Sequence, residues 1–86
     1  MIGNVVGDRV REARVQKNMT LHELHQRIQQ QSGIVLSQPT LTRIERRQRS
    51  VFDFEIIALV RALEVDARWL LGLIELDGAE FVDSQR

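Results

Sequence analysis

The sequence contains no cysteine and only one proline and five glycines among its 86 residues. Without cysteine the chain forms no disulfide framework, no thiolate metal site and no cysteine nucleophile. With so few glycines and prolines, little interrupts helices, and no apolar stretch is long enough to span a bilayer. One domain of this size leaves little room for a deep enzymatic cleft. We therefore expect a small cytoplasmic domain that is not an enzyme and needs no cofactor.

The formal net charge is +0, but the charges are unevenly distributed along the chain. Residues 1–50 carry nine Lys and Arg and four acidic residues, whereas residues 51–86 carry three arginines and eight acidic residues. The basic half predicts a surface that meets a polyanion, and the acidic half offers a place for a protein partner. A mixed, solvated surface explains the same counts equally well.

Apolar residues recur with a period near 3.6, which predicts an all-α fold of five helices. The first runs from about Val5 to Lys17. Thr20 and Glu23 form a capping-box pattern at the start of the second, which ends near Gln31.

Serine and aspartate side chains mark the starts of the later helices. Ser37 caps the third, with Pro39 in its first turn, where a missing N–H costs nothing. Either Ser50 or Asp53 caps the fourth, and Asp66 caps the fifth. The apolar stripe of the fifth helix is Leu70, Leu71 and Ile74.

The third helix has an outward face suited to nucleic acid. On a helical wheel Leu41 and Ile44 define its buried side. The opposite side carries amide, hydroxyl and guanidinium groups and no acid: Gln38, Pro39, Thr42, Arg43 and Arg46. These groups pair with base edges and phosphates, whereas an ordinary solvated helix face usually mixes both signs of charge.

Three segments resemble the phage-repressor and Cro-type (XRE-family) helix-turn-helix family: "VGDRVREARVQKNMTLHELHQRI", "LSQPTLTRIERRQR" and "EIIALVRALEVDARWLLGL". The resemblance extends from Val6 to Leu73. It implies a lambda-repressor-like fold over residues 1–76, with residues 77–86 as a tail that is loose or docks on a second subunit. It also implies double-stranded DNA as the partner, with the third helix in the major groove.

The resemblance assigns roles to particular residues. From their positions on or beside the third helix, we expect Pro39 to contact a base and Ser37, Thr40, Arg47 and Arg49 to contact phosphate. The resemblance implies base reading by Gln38, Thr42 and Arg43 and a phosphate contact by Arg46. It further implies that Arg14 and Glu45 form a structural ion pair between the first and third helices.

The chain departs from the family pattern at three places. The connection between the second and third helices is about six residues longer, so "QQSGIVLS" should form a longer second helix and an extended loop with Ile34 and Leu36 packed. Arg47 replaces the usual glycine, so we expect the third helix to run on or to end without a left-handed residue. Leu21 replaces a polar residue that often touches phosphate.

Other combinations of residues have simpler interpretations. His22 and His25 share one helix face but lack a third ligand, so we interpret them as surface or packing residues and predict no metal site. Asp8 and Glu12 form a carboxylate pair without a pocket. Trp69 lies beside two leucines and is typical of a core residue.

Three functions remain open from the sequence. The first is a sequence-specific transcriptional regulator, a repressor that binds a palindromic operator as a homodimer. The second is an antitoxin-type regulator that also binds a toxin protein, and the third is a protein-interaction module that has lost DNA binding. Candidate dimer contacts are apolar residues of the fifth helix and tail: Leu73, Ile74, Leu76, Phe81 and Val82.

Overall fold

The computed structural model describes residues 2–75, which form an all-α fold. Its helices are α1 (Gly7–Gln16), α2 (Leu21–Ser32), α3 (Gln38–Glu45), α4 (Asp53–Leu63) and α5 (Ala67–Leu70). The predicted tail of residues 77–86 lies outside the described residues. No helix between residues 2 and 75 is both long and apolar enough to cross a membrane.

The starts of α2, α3 and α5 confirm the predicted caps. Thr20 Oγ1 accepts a hydrogen bond from the Glu23 N–H at 3.0 Å, and the Glu23 carboxylate accepts one from the Thr20 N–H at 2.9 Å. Ser37 Oγ accepts from the Thr40 N–H at 3.3 Å. Asp66 caps α5 by accepting a hydrogen bond from the Arg68 N–H. Local side-chain chemistry therefore fixes three helix starts.

The predicted start of α4 is wrong. Its N-cap position is Phe52, not Ser50 or Asp53. Ser50 Oγ instead accepts a hydrogen bond from the Gly3 N–H at 2.9 Å. The Phe52 N–H is satisfied by the carboxylate of Glu55 at 2.9 Å. Long-range pairing with the N-terminal segment therefore replaces a local serine cap.

The fifth helix is shorter than its apolar pattern predicts. It ends at Leu70, and Gly72 follows in a left-handed conformation with φ of 82°. Leu71 and Ile74 still pack against the core, although neither is helical. The apolar spacing here serves a compact turn, so the predicted helical stripe reaching Ile74 is wrong.

One hydrophobic core joins all five helices, and α2 packs on both α3 and α4. Trp69 is 3% exposed, which confirms its prediction as a core residue. The core comprises Val6, Val10, Ala13, Met19, Leu24, Ile28, Leu36, Leu41, Ile44, Ala58, Leu59, Ala62, Leu63, Trp69 and Leu70.

The long connection between α2 and α3 has the predicted form. It lengthens α2 to Ser32 and continues as an extended loop from Gly33, which ends the helix with φ of 70°. Leu36 is buried and Ile34 packs against the core. Ile34 and Leu36 therefore hold the longer loop against the core of the domain.

The end of α3 corrects the prediction about Arg47. The helix stops at Glu45, and Arg47 itself adopts a left-handed conformation with φ of 58°. Such a conformation costs a non-glycine residue about 1–2 kcal/mol. The helix therefore ends as it would with a glycine, but with a cationic side chain at that position.

Candidate nucleic-acid interface

The core fixes which face of α3 points outward. Leu41 and Ile44 are fully buried, which anchors the helix on one side. Gln38, Pro39 and Arg43 are exposed. Thr42, which is half-buried, belongs to the same outward face. The four residues predicted to read bases therefore share one accessible surface, which we call the α3 face (Gln38, Pro39, Thr42 and Arg43).

The single acidic residue of α3 is withdrawn from that surface. Glu45 is 7% exposed, and its carboxylate faces α1. Arg14 Nε donates to Glu45 Oε2 at 2.6 Å, and Arg14 Nη2 donates to Oε1 at 3.1 Å. This hydrogen bonding raises the pKa of the Arg14 guanidinium. The pair ties α1 to α3 and leaves the α3 face without negative charge.

A third hydrogen bond holds the Arg14 guanidinium in place. Arg14 Nη1 donates to the Met19 carbonyl oxygen at 2.9 Å, just before α2 begins. One partly buried side chain therefore links α1, the entry to α2 and the end of α3. Their relative placement is set by a bidentate contact whose geometry a lysine cannot reproduce.

The arginines around the end of α3 divide into two groups. Arg43 and Arg46 are exposed and form no ion pair with any residue from 2 to 75. Arg47 is also exposed, and its closest acid is Asp8 at 3.7 Å, a surface contact of small energetic value. Arg49 behaves differently. Arg43, Arg46 and Arg47 therefore place three exposed cations at or just after the end of α3.

Arg49 is held by α4. Its Nη1 and Nη2 atoms each donate to the Glu55 carboxylate at 3.0 Å, and Nη1 also donates to the Ser50 carbonyl oxygen at 2.9 Å. Burial alone would raise the pKa of Glu55, but hydrogen bonds from Arg49 and from the Phe52 N–H outweigh it and lower the pKa. The phosphate role predicted for Arg49 stays a prediction, and its observed contacts position α4.

The start of α3 borders an open groove of about 560 Å³. Residues from the first half of α2 and the first turns of α3 surround it: Leu21, His22, His25, Ser37, Gln38, Pro39 and Thr42. The Gln38 amide nitrogen lies 3.1 Å from His22 Nδ1, so α2 orients the predicted base-reading side chain. The Ser37 hydroxyl lines the groove and donates to Thr40 Oγ1 at 2.9 Å.

The two histidines have distinct surroundings. His25 Nδ1 lies 2.8 Å from the Leu36 carbonyl oxygen, so a protonated Nδ1 donates to the loop before α3. His22 is exposed and contacts Gln38. Among residues 2–75 no group of three His, Cys, Asp or Glu side chains is placed to hold a metal ion.

Sequence reasoning missed two residues that lock the domain. Asn4 Nδ2 donates to the carbonyl oxygens of Ile44 at 2.9 Å and Arg49 at 3.1 Å, while its Oδ1 accepts from the N–H groups of Val6 and Gly7. It therefore satisfies two N–H groups at the start of α1 and holds the end of α3 in place. A polar side chain just before an apolar helical pattern was the available signal.

Arg9 on α1 holds the segment that contains α5 and the residues after it. It donates to the carbonyl oxygens of Trp69 at 2.6 Å and Ile74 at 2.9 Å, and its guanidinium lies 5.2 Å from the centre of the Trp69 ring. It also pairs with Glu75 at 3.1 Å. These partners lie at least 60 residues away, so no local pattern reveals them.

The predicted dimer contacts are only partly described. Leu73 is 72% exposed, whereas Ile74 is half-buried against the core. Leu76, Phe81 and Val82 lie outside the described residues.

A comparison with protein families matches residues 10–70 to the helix-turn-helix family HTH_3. The match covers all of α2, α3, α4 and α5 and most of α1. No curated protein sequence matches the chain. Members of this family are DNA-binding regulators rather than enzymes. The chain belongs to the Cro- and repressor-type (XRE) helix-turn-helix family and is a DNA-binding transcriptional regulator.

Proposed function

We propose that the protein is a repressor that binds a palindromic operator as a homodimer, with α3 of each subunit in the major groove. The observation that carries the proposal is the α3 face. It presents an amide, a hydroxyl and a guanidinium, while the only acid of the helix is buried against Arg14. Polar donors and acceptors without negative charge suit the edges of base pairs.

Gln38 is the residue that we assign to adenine. A side-chain amide donates and accepts at once, and adenine presents the matching acceptor N7 and donor N6 side by side in the major groove. The contact with His22 uses at most one of the two N–H bonds of the amide. The second N–H and the carbonyl oxygen remain available for the base. His22 thus restricts the Gln38 side chain before DNA arrives, which lowers the entropy lost on binding.

The neighbouring residues of the α3 face extend the reading surface. Pro39 is exposed and offers an apolar ring to a thymine methyl group. Arg43 lies one turn further along and carries the guanidinium that pairs bidentately with guanine O6 and N7. Thr42 lies between them. The expected half-site therefore contains adenine, with thymine and guanine nearby.

Phosphate contacts fix the helix in the groove. Arg46 and Arg47 follow α3 directly and are exposed, so their guanidinium groups reach the strand that borders the groove. At the other end, Ser37 and Thr40 place two hydroxyls at the first turn of α3, and hydroxyl groups bind phosphate oxygens. Cations at one end and hydroxyls at the other set the register of the helix.

The homodimer follows from the small size of a single reading surface. One recognition helix contacts too few base pairs for useful discrimination, and two copies related by a two-fold axis read half-sites about one DNA turn apart. Repression requires only that the bound dimer occupies DNA needed by other proteins. We also propose that the protein acts in the cytoplasm, in the same compartment as the DNA.

A salt titration of DNA binding tests the proposal. Each lost phosphate contact should weaken binding to all sequences alike and reduce the slope of log affinity against log salt by about one unit. We expect this for Arg46→Ala and Arg47→Ala. Arg11→Ala is the matched control, because Arg11 is exposed on α1 and outside the α3 face. Equal slopes for all four proteins, including the wild type, would contradict the proposed docking.

A further inference from the structure

An exposed apolar patch lies at the start of α4, away from the core. Phe52, Phe54 and Ile57 are 56%, 52% and 54% exposed. The two phenylalanine rings stack with their centres 5.8 Å apart and their planes only 7° from parallel. We call these three residues the α4 patch. Large apolar side chains gathered on one exposed surface mark an interaction site, whereas single exposed ones need no explanation.

Two opposite charges flank Ile57 at equal distances along α4. Asp53 lies one turn before Ile57 and Arg61 one turn after it, each about 6 Å away along the helix axis. All three side chains are exposed. At about 100° per residue they fall within an arc of about 80°, so they form one stripe with Ile57 at its centre. Arg61 forms no ion pair within residues 2–75.

We propose that the α4 patch is the dimer interface, in which the α4 helices of two copies pack antiparallel across a two-fold axis at Ile57. In that arrangement Asp53 faces the partner subunit's Arg61, and Arg61 faces the partner subunit's Asp53. The stacked phenylalanines of each copy cover the apolar centre. The inference rests on the homodimer of the proposed function and replaces the fifth helix and tail as the main contact.

The charge pattern favours a second copy of this chain over a different protein. A two-fold interface brings the same surface of both subunits together, so it must be complementary to itself. An acid and a base at equal distances on either side of an apolar centre meet that requirement. A different protein partner would need no such symmetry.

The position of α4 also couples the proposed interface to the recognition helix. Residues 46–52 connect it to the recognition helix, and the contacts of Arg49 with Glu55 make that connection stiff. A two-fold axis at Ile57 therefore holds the two copies of α3 in a fixed relation. The spacing between half-sites becomes a property of α4 packing.

The size of the α4 patch predicts a weak dimer in solution. A fully buried aromatic side chain covers about 150–250 Å². The three side chains of the α4 patch are each about half exposed. Covering them in a dimer would therefore bury roughly 300 Å² per subunit. A standard stable interface buries about 800 Å² per partner. The subunits should therefore associate reversibly and become stably paired when DNA holds both.

Charge exchange between subunits is the sharpest test. Asp53→Arg places like charges opposite each other at both ends of the interface, and so does Arg61→Asp. Each variant alone should dimerise more weakly than the wild type in sedimentation equilibrium. An equimolar mixture of the two should form a heterodimer with both charge pairs restored, tighter than either variant alone on the order of tenfold.

The mixture controls for effects on folding. Asp53 lies in the first turn of α4, so arginine there also loses a favourable interaction with the helix dipole. Mixing cannot repair that loss, and it can restore only contacts between subunits. A mixture that associates no better than its components would overturn the proposed antiparallel pairing.

Ile57→Gln tests the apolar centre, with Val15→Gln as its matched control. Val15 is 50% exposed on α1, close to the 54% of Ile57, so both changes remove similar exposed apolar surface. We expect Ile57→Gln to abolish measurable dimerisation in solution and to remove cooperative binding to a palindrome. Val15→Gln should match the wild type in both measurements.

The same measurements separate this inference from the proposed function. A wild type that dimerises, with all α4 variants unaffected, would overturn the α4 interface and leave the homodimer intact. A wild type that is monomeric both free and on DNA would overturn the homodimer and this inference together. A dimer that depends on Ile57 but binds no DNA would support the interface and contradict the proposed function.

Discussion

Gly7 provides a stringent test of how α1 positions the recognition helix. It is buried at the first position of α1. A Cβ atom added there would overlap the carbonyl oxygen of Ile44, would lie 2.8 Å from Arg47 Cγ and would come within 3.1 Å of the carbonyl oxygen of Glu45. Two of these three atoms belong to the backbone at the end of α3 and cannot swing aside. The absence of a side chain at Gly7 therefore allows α1 and α3 to approach.

Opposing effects decide the sign of Gly7→Ala. Alanine favours a helix over glycine by about 0.5–1 kcal/mol. Overpacking typically costs about 1–3 kcal/mol, and overlap with a backbone carbonyl belongs at the upper end of that range. We therefore expect a net loss of about 2 kcal/mol in the free energy of unfolding, measured by urea denaturation. DNA affinity should also fall, because the end of α3 must shift.

Gly3→Ala is the matched control for this prediction. The nearest atom to its added Cβ would be Ser50 Oγ at 3.7 Å, an ordinary contact. Its stability should stay within about 0.5 kcal/mol of the wild type. If Gly7→Ala were as stable as the wild type or more stable, helix propensity would outweigh the close approach, and the reasoning would be refuted.

Three further predictions concern single contacts. Arg14→Met and Glu45→Leu should each cost about 3 kcal/mol, and a double-mutant cycle should show coupling, since additive effects would contradict the pairing. Arg47→Gly should raise stability by up to about 1 kcal/mol while weakening DNA binding, and a variant that binds normally would contradict the phosphate role. A hydrogen bond from Arg68 lowers the pKa of Asp66 from 3.8 to about 2. Its stabilisation is therefore complete above about pH 4 and is lost as the pH falls toward 2, so Asp66→Asn should show a shallower acid transition, which urea midpoints at successive pH values would measure.

Local chemistry explains why α2 and α3 were predictable from the sequence. The Thr20 and Ser37 caps act over three residues, and Leu41 and Ile44 repeat at helical spacing, so neighbouring residues carry the information. The outward face of α3 followed from the same spacing. The packing of the longer loop was predictable because Ile34 and Leu36 are apolar residues in the segment that joins the two helices.

Contacts between distant residues explain what the sequence did not reveal. Asn4 reaches Arg49 across 45 positions, and this clamp helps to end α3 at its observed place. Arg49 is one of several arginines in its segment, and only the position of Glu55 on α4 distinguishes it from Arg46. The left-handed conformation of Arg47 likewise depends on the backbone path from α3 to α4. The spacing of residues along the sequence predicts neither these long-range contacts nor the conformation of Arg47.

The central claim is that α3 reads bases through Gln38, and selection of binding sites from a random DNA library tests it most directly. The wild type should select half-sites that contain an adenine, with a preference of about 1–3 kcal/mol over other bases at that position. Gln38→Ala should lose that preference, whereas the control Arg46→Ala should select the same sequence with lower affinity. Recovery of one unchanged consensus by the wild type and Gln38→Ala, differing only in affinity, would show that Gln38 positions the helix and reads no base.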